Sequence, residues 1–286
     1  MSIMCRVYRD NVYYKQSILI GGFLIVVFSI TISIERIKKM NNHMEQKKVG
    51  SCVAQDKLGV SVVLEWHQTN IVSARFADLM KQVWCFARGA YVPVEMDFLK
   101  AFPEVVGVDQ YFKVFEPLFA QGVANVDWQL AEDKMTTNLQ EHFVFDPLQF
   151  PQQMVEMYSK DICYAAVIKE QSTGKVLGFI SFLKRAQYAP GDIKVMILAV
   201  DVAHQKRGLG KLLMSSIFAI DPEVKRIFLC TRVTNINALS AYHSWGFVRD
   251  ENPVLDYAFN LNHWTFMEYK VEQHDSLQKI AETFTE

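Results

Sequence analysis

The 286-residue sequence predicts an α/β (α+β) protein with a mixed central sheet, antiparallel strands first and a strand–helix–strand half after them. Three observations carry this. Ile162–Lys169 (ICYAAVIK) and Val176–Lys184 (VLGFISFLK) are β-rich runs joined by the short, polar, glycine-bearing stretch Glu170–Lys175, the pattern of a hairpin. Ile193–Val200 is a third apolar, β-branched run, entered through the Pro190-Gly191 turn. That run leads through Gln205-Lys206-Arg207-Gly208-Leu209-Gly210 into a helix pattern and on to the buried-strand pattern Arg226–Thr231. A passage of that length is a parallel crossover and should be right-handed.

Composition narrows the function. Half of the residues are hydrophobic, enough for a full core. Lys plus Arg (30) nearly equals Asp plus Glu (31), so no global field recruits nucleic acid, and none is expected as a partner. Cys5, Cys52, Cys85, Cys163 and Cys230 are dispersed with no C-x-x-C pair, which reads as free thiols in a reducing compartment. The seven histidines form no H-x-x-x-H pair or Cys/His cluster, so no metal site is expected.

Residues 1–16 form a short tail. Ser17–Ile34 (SILIGGFLIVVFSITISI) carries no charge, and as a helix of about 1.5 Å per residue it would cross a bilayer. It predicts one N-terminal transmembrane helix, with membrane contact through residues 17–34. Arg36, Lys38, Lys39, Lys47 and Lys48 follow it and place the domain on the cytoplasmic side. Two alternatives stand beside this: a signal peptide, or translation starting at Met40 or Met44, which gives a cytoplasmic chain without an anchor.

Glu35–Asp56 is polar without an apolar period and reads as a linker. Val60–His67 predicts a first strand, entered through Gly59. Asn70–Arg88 carries a helical stripe at Ile71, Ala74, Phe76, Leu79, Val83 and Phe86, and Val94–Phe102 a second, shorter helix. Tyr111–Gln121 and Asp127–His142 predict two more, the first broken or kinked at Pro117, the second capped by Asn125 or Asp127. Their aromatics, Tyr91, Phe98, Tyr111, Phe112, Phe115, Phe119, Trp128 and Phe143, read as a helical core rather than a ligand cage. Residues 57–160 are thus a strand with a helical insert, residues 161–271 the core, and residues 272–286 a tail. Gly178, inside a strand, signals a bulge or a close backbone approach.

The glycine loop is where chemistry is expected. A helix N-terminus presents amides without intrahelical partners, and glycine lets a phosphate approach them closely. Strand, glycine turn and helix therefore make an anion site, flanked here by Lys206, Arg207 and Lys211. Leu212 stands where a P-loop needs its hydroxyl, and Leu213 where a dinucleotide fingerprint needs its third glycine. Both patterns fail.

Gly208–Ile220 is amphipathic, with Leu209, Leu212, Leu213, Ile217 and Ile220 on one face, and Asp221-Pro222 stops it. After the next strand, Asn235 or Asn237 caps a short helix that Gly246 ends. The Gln205-x-x-Gly208-x-Gly210 loop preceded by Leu198-x-Val200, and then Asn235-x-x-Ala238-x-x-x-Tyr242 with Gly246-Phe247, resemble the acetyl-CoA half of the GNAT superfamily of N-acetyltransferases. The resemblance covers about Asp161–Val271 and implies a GNAT fold binding acetyl-CoA as acetyl donor. It implies that Leu198 and Val200 offer main-chain groups to the acetyl and pantetheine portions. The amides of Gln205, Lys206, Arg207, Gly208, Leu209 and Gly210, with Lys211, would hold the pyrophosphate. Asn235 would contact the pantetheine arm, and Tyr242 would protonate the departing thiolate.

The chain also departs from the family. Where many members place a basic glutamate it has Asp192, Lys194 and Val195, so the base is absent, supplied from the helical insert, or replaced by solvent. Val202 stands where a proline is common. The expected function is direct acetyl transfer to a primary amine, on a small molecule or a protein. The rivals are an acyl-CoA-binding regulatory module and an interaction domain, both without turnover.

Overall fold

The computed structural model describes residues 6–8, 11–13, 18–20, 23–25, 31–33, 47–69, 74–109, 111–143, 161–185, 187–253 and 261–284. The chain divides into two compact units, residues 1–45 and 46–286.

The first unit holds five short strands: β1 (Arg6–Tyr8), β2 (Asn11–Tyr13), β3 (Ile18–Ile20), β4 (Phe23–Ile25) and β5 (Thr31–Ser33). β1, β2 and β5 form one sheet, β3 and β4 another. The transmembrane helix expected over residues 17–34 is therefore corrected, and with it the single-pass membrane localisation. Ile20 pairs with Phe23 across an antiparallel ladder, Tyr13 pairs with Thr31, and no helix among the described residues is long and apolar enough to cross a membrane. The physical reason lies in the run itself. It is rich in β-branched residues, which favour extended backbone over a continuous helix. Its other residues, and Met40 and Met44, lie outside the described residues.

The second unit is built on an eight-stranded sheet. Its strands are β6 (Lys47–Gln55), β7 (Ser61–Thr69), β8 (Ile162–Glu170), β9 (Val176–Lys184), β10 (Asp192–Val200), β11 (Arg226–Arg232), β12 (Val248–Arg249) and β13 (Trp264–Lys270). Their order is β12-β13-β11-β10-β9-β8-β7-β6, antiparallel except for the parallel β10–β11 pair. The linker expected over residues 35–56 thus contains a strand. Cys52 and Ala54 turn inward while Ser51 and Gln55 stay exposed, a two-residue alternation that docks β6 on β7.

Helix α1 (Ala74–Ala101) runs unbroken through Pro93, where two helices were expected; the start expected at Asn70 lies outside the described residues. Its first half buries Phe76, Met80, Val83 and Ala87 against Cys163, Ala165, Val167 and Phe179 on one sheet face. Its second half, with Phe98 and Leu99, forms a separate core with Phe112, Phe115 and Met135, against which Tyr91, Tyr111, Phe119 and Trp128 pack; the Phe143 side chain lies outside the described residues. That core takes in α2 (Val105–Val108), α3 (Glu116–Phe119) and α4 (Trp128–Phe143). Asp127 caps α4, its carboxylate accepting from the Gln129 and Leu130 amides, 3.1 Å each. The opposite sheet face, which takes Ala166 and Ile168 of β8, is covered by α5 (Leu209–Ile220) through Leu212, Leu213 and Ile217. Helix α6 (Ile236–Ser244) follows β11. The tail expected at 272–286 is corrected as well: α7 (Ser276–Ala281) packs on α5 and buries Leu277 completely.

Candidate functional site

The site begins where two strands part. β10 and β11 pair only from Asp192/Arg226 to Lys194/Phe228, while β11 stays paired with β13 as far as Arg232 and β10 with β9 as far as Val200. The register slips between Val195 and Ile197, so Met196 is the extra residue of a bulge, a device that bends a strand and re-aims its side chains. Beyond it Met196, Ile197, Leu198 and Val200 are half-buried, whereas Asp192–Val195 are buried. Gly178 lies opposite Val200 because nothing larger fits. A Cβ there would stand 2.9 Å from Leu213 and 3.1 Å from the Ala199 carbonyl.

The loop after β10 is wound tightly. Asp201 accepts from the Ala203 amide at 3.2 Å, faces His204 Nδ1 at 2.9 Å and pairs with Lys175 at 3.2 Å. Burial pushes the Asp201 carboxyl up, but Lys175, the Ala203 amide and His204 outweigh it and hold the group below the usual carboxylate range. His204 is thus engaged within the loop. Gln205 Nε2 donates to the Val200 carbonyl at 3.4 Å.

Lys206 (φ 64°) and Gly208 (φ 85°) then take left-handed backbone, strained for the lysine and free for the glycine. Among the described residues, the amides of Lys206, Arg207, Gly208, Leu209 and Gly210 donate to no other backbone group. Five successive undonated amides at the start of α5, with alternating left-handed residues, make a concave anion seat. Gly210 lies against Trp245, where a Cβ would approach the ring to 3.2 Å. Leu209 sends its side chain into the core, Lys206 is exposed and Lys211 half-buried. Chemically, the seat fits a phosphate group.

Tyr242 lies on α6, buried, with its ring 5.5 Å from Trp245 and 5.6 Å from Phe247. Burial first, then neighbouring Tyr91 and Cys230, pushes its phenol well above its ordinary value. His243 turns elsewhere, its Nδ1 3.1 Å from the Phe247 carbonyl. Asn235 caps α6: its Oδ1 accepts from the Ala238 amide at 3.3 Å and its Nδ2 donates to Thr231 Oγ1 at 3.0 Å. Its side chain is therefore committed within the protein.

Asp192, the carboxylate nearest the family's base, sits at the far end of β10, eight residues and about 26 Å from Val200. Burial pushes it up, partly countered by Arg226, which also binds Asp250 and Glu268.

Three groups at the parted strands and the glycine loop escaped sequence reasoning. The Tyr91 hydroxyl, from α1, donates to the Leu198 carbonyl at 3.2 Å. Glu95, one turn further on, holds Arg232 at the end of β11 through Nε at 2.9 Å and Nη2 at 3.0 Å. Asp56 binds Arg207 across a sequence separation of 151 residues. Only Glu95, polar within an apolar helical stripe, carried a local signal.

A sequence model of the Acetyltransferase (GNAT) family matches residues 129–247. N-alpha-acetyltransferase 30 of Xenopus laevis is 30% identical over 92 residues, covering 32% of this chain and 33% of that protein. The Homo sapiens protein of the same name is also 30% identical over 92 residues, covering 25% of its length. The chain thus spans a third or less of the curated relatives it matches. Among solved structures, Ard1 from Thermoplasma volcanium aligns at 22% identity over 37% of this chain and 69% of that one, TM-score 0.31. A spermidine N-acetyltransferase chimera from Vibrio cholerae and hSSAT aligns at 17% identity over 45% of this chain and 81% of that one, TM-score 0.32.

Proposed function

We propose that the GNAT-family domain carried by residues 129–247 makes this chain an N-acetyltransferase, moving an acetyl group from acetyl-CoA to a primary amine by direct transfer. One observation supports this above the rest: the undonated amides of Lys206–Gly210 open at the end of β10, where it has parted from β11, and buried Tyr242 stands on α6, the helix after β11. Acetyl-CoA, when bound, supplies the activated thioester. The amides would hold its phosphates. Leu198 and Val200 would present main-chain groups along the parted edge, Leu198 once Tyr91 yields its carbonyl. Lys211, at the first turn of α5, would add positive charge, and Asn235 would shape the far wall through its cap on α6. Tyr242 keeps its proton at neutral pH and would deliver it to the departing sulfur.

The test is release of free thiol by the full chain from acetyl-CoA, over a panel of primary amines. Because the curated relatives are named N-alpha-acetyltransferases, peptides with free α-amino groups come first. Tyr242→Phe should lower kcat by about 10²- to 10⁴-fold and leave acetyl-CoA affinity within about twofold. No binding of acetyl-CoA by the folded parent would overturn the proposal.

A further inference from the structure

The glycine loop is clamped from outside the core. The turn between β6 and β7, at Asp56–Gly59, lies against it, and the Lys57 amide donates to the Arg207 carbonyl at 2.9 Å. The Asp56 side chain is fully buried, and it takes the Arg207 guanidinium at 2.5 Å. Its other oxygen accepts from the Leu58 amide at 2.8 Å and the Val60 amide at 2.9 Å. Arg207 therefore spends its charge inside the protein, as a tether between loop and turn. Sequence reasoning grouped it with the phosphate-binding stretch, and of Arg207 only the amide faces that way.

The next residue replaces the lost cation. The Lys57 stem crosses directly over Gly208: a Cβ on that glycine would lie 3.0 Å from Lys57 Cγ and 3.4 Å from Cε. Lys57 is exposed, and its ammonium has no carboxylate partner among the described residues. A cation whose stem packs on Gly208, the middle of the five undonated amides, is the arrangement that a phosphate would complete.

We infer that Lys57 is a phosphate-binding residue of the acetyl-CoA site, carried there by the β6–β7 turn that Asp56 and Arg207 fix. The inference rests on the acetyltransferase reading. It also explains why β6, an added edge strand far from the parted strands, ends beside the loop.

The experiment compares parent, Lys57→Met and Lys57→Arg full chains by calorimetric titration with acetyl-CoA and with S-acetylpantetheine, which lacks the pyrophosphate, at two salt concentrations. Lys57→Met keeps the apolar stem and removes the charge. It should weaken acetyl-CoA roughly tenfold, reduce the salt dependence of that binding and leave S-acetylpantetheine unchanged. Lys57→Arg should restore most of the affinity. If the parent binds acetyl-CoA and Lys57→Met binds it equally well with the same salt dependence, this inference falls and the acetyltransferase reading stands. Equal weakening toward both ligands also overturns it, because the loss is then one of packing. A folded parent that binds no acetyl-CoA overturns both.

Discussion

The pair Glu95–Arg232 joins the second half of α1 to the last residue of β11, and removing either partner should cost more than most single substitutions. Both side chains are nearly buried, at 10% and 7% exposure. The guanidinium lies 4.2 Å from the Phe98 ring, 4.1 Å from Trp264 and 5.3 Å from Phe112. Those rings attract a cation but cannot take its hydrogen bonds, so Glu95→Gln leaves a buried charge half-satisfied. Breaking such a pair costs about 3–5 kcal/mol. At roughly 2–4 °C per kcal/mol for a unit of this size class, the melting temperature should fall by about 6–20 °C. Arg232→Met, which fills similar volume, should cost a comparable amount. The double variant should cost distinctly less than the sum, since neither charge is then stranded. Urea unfolding with unchanged m-values reads all three. Glu95→Gln within about 1 kcal/mol of the parent, or singles that add within about 0.5 kcal/mol, would refute the reasoning. The pair also bears on function. Tyr91 precedes Glu95 by one helical turn and occupies the Leu198 carbonyl, so loosening the pair should make that carbonyl easier to yield to acetyl-CoA.

Asp56 is pushed up by burial, yet the Val60 amide, Arg207 and the Leu58 amide hold it below the usual carboxylate range. The stability it contributes is therefore complete above its unfolded value of about 3.9 and is lost as pH falls through the lower folded value. Asp201 follows the same rule, so acid should open the glycine loop, seen as faster amide exchange there than in β8 and β9; an Asp56→Asn variant with the parent's acid midpoint would contradict this. Among the thiols, exposed Cys85 should react with a neutral maleimide in the native state. Buried Cys52, pushed up to about 11 by burial, and Cys163, pushed higher by burial and then by Asp161, should react only on unfolding, as mass mapping would show.

What the sequence revealed and what it hid divide along physical lines. Runs whose period matched their burial were legible: Ile162–Glu170, Val176–Lys184 and the passage from β10 through α5 to β11 lie where the patterns put them. Pro93 misled because proline usually ends a helix, yet here Met96, Phe98 and Leu99 beyond it are buried and tertiary packing carries α1 onward. β6 was hidden because its inward set is small, Cys52 and Ala54, among polar neighbours. The uncharged run at 17–34 showed length without the composition of a helix. Within the proposed site, motif spacing singled out the loop at the start of α5 and Tyr242 on α6. Partners from elsewhere, Asp56, Tyr91 and Glu95, were invisible because no local pattern encodes a contact across about a hundred residues or more.

The raised phenol of Tyr242 looks at first like an obstacle to the role proposed for it. A thiol in water titrates near 8.5, so a phenol far above 10 would seem too weak an acid to protonate its thiolate. Burial acts on both groups, however, and in the same direction. It destabilises any anion, and the chain shows this in its own thiols, with Cys52 at about 11. A sulfur leaving beside Tyr242 meets that surrounding and becomes a stronger base than in water, which closes much of the gap. Tyr91, at about 12, is raised for the same reason and keeps its own proton on the Leu198 carbonyl. The consequence is a pH profile. With Tyr242 protonated throughout, kcat should show no alkaline fall up to about pH 9 that belongs to this residue. A fall in kcat centred near pH 8 in the parent, and absent from Tyr242→Phe, would mean that the phenol ionises in the working range and that burial does not set its proton affinity.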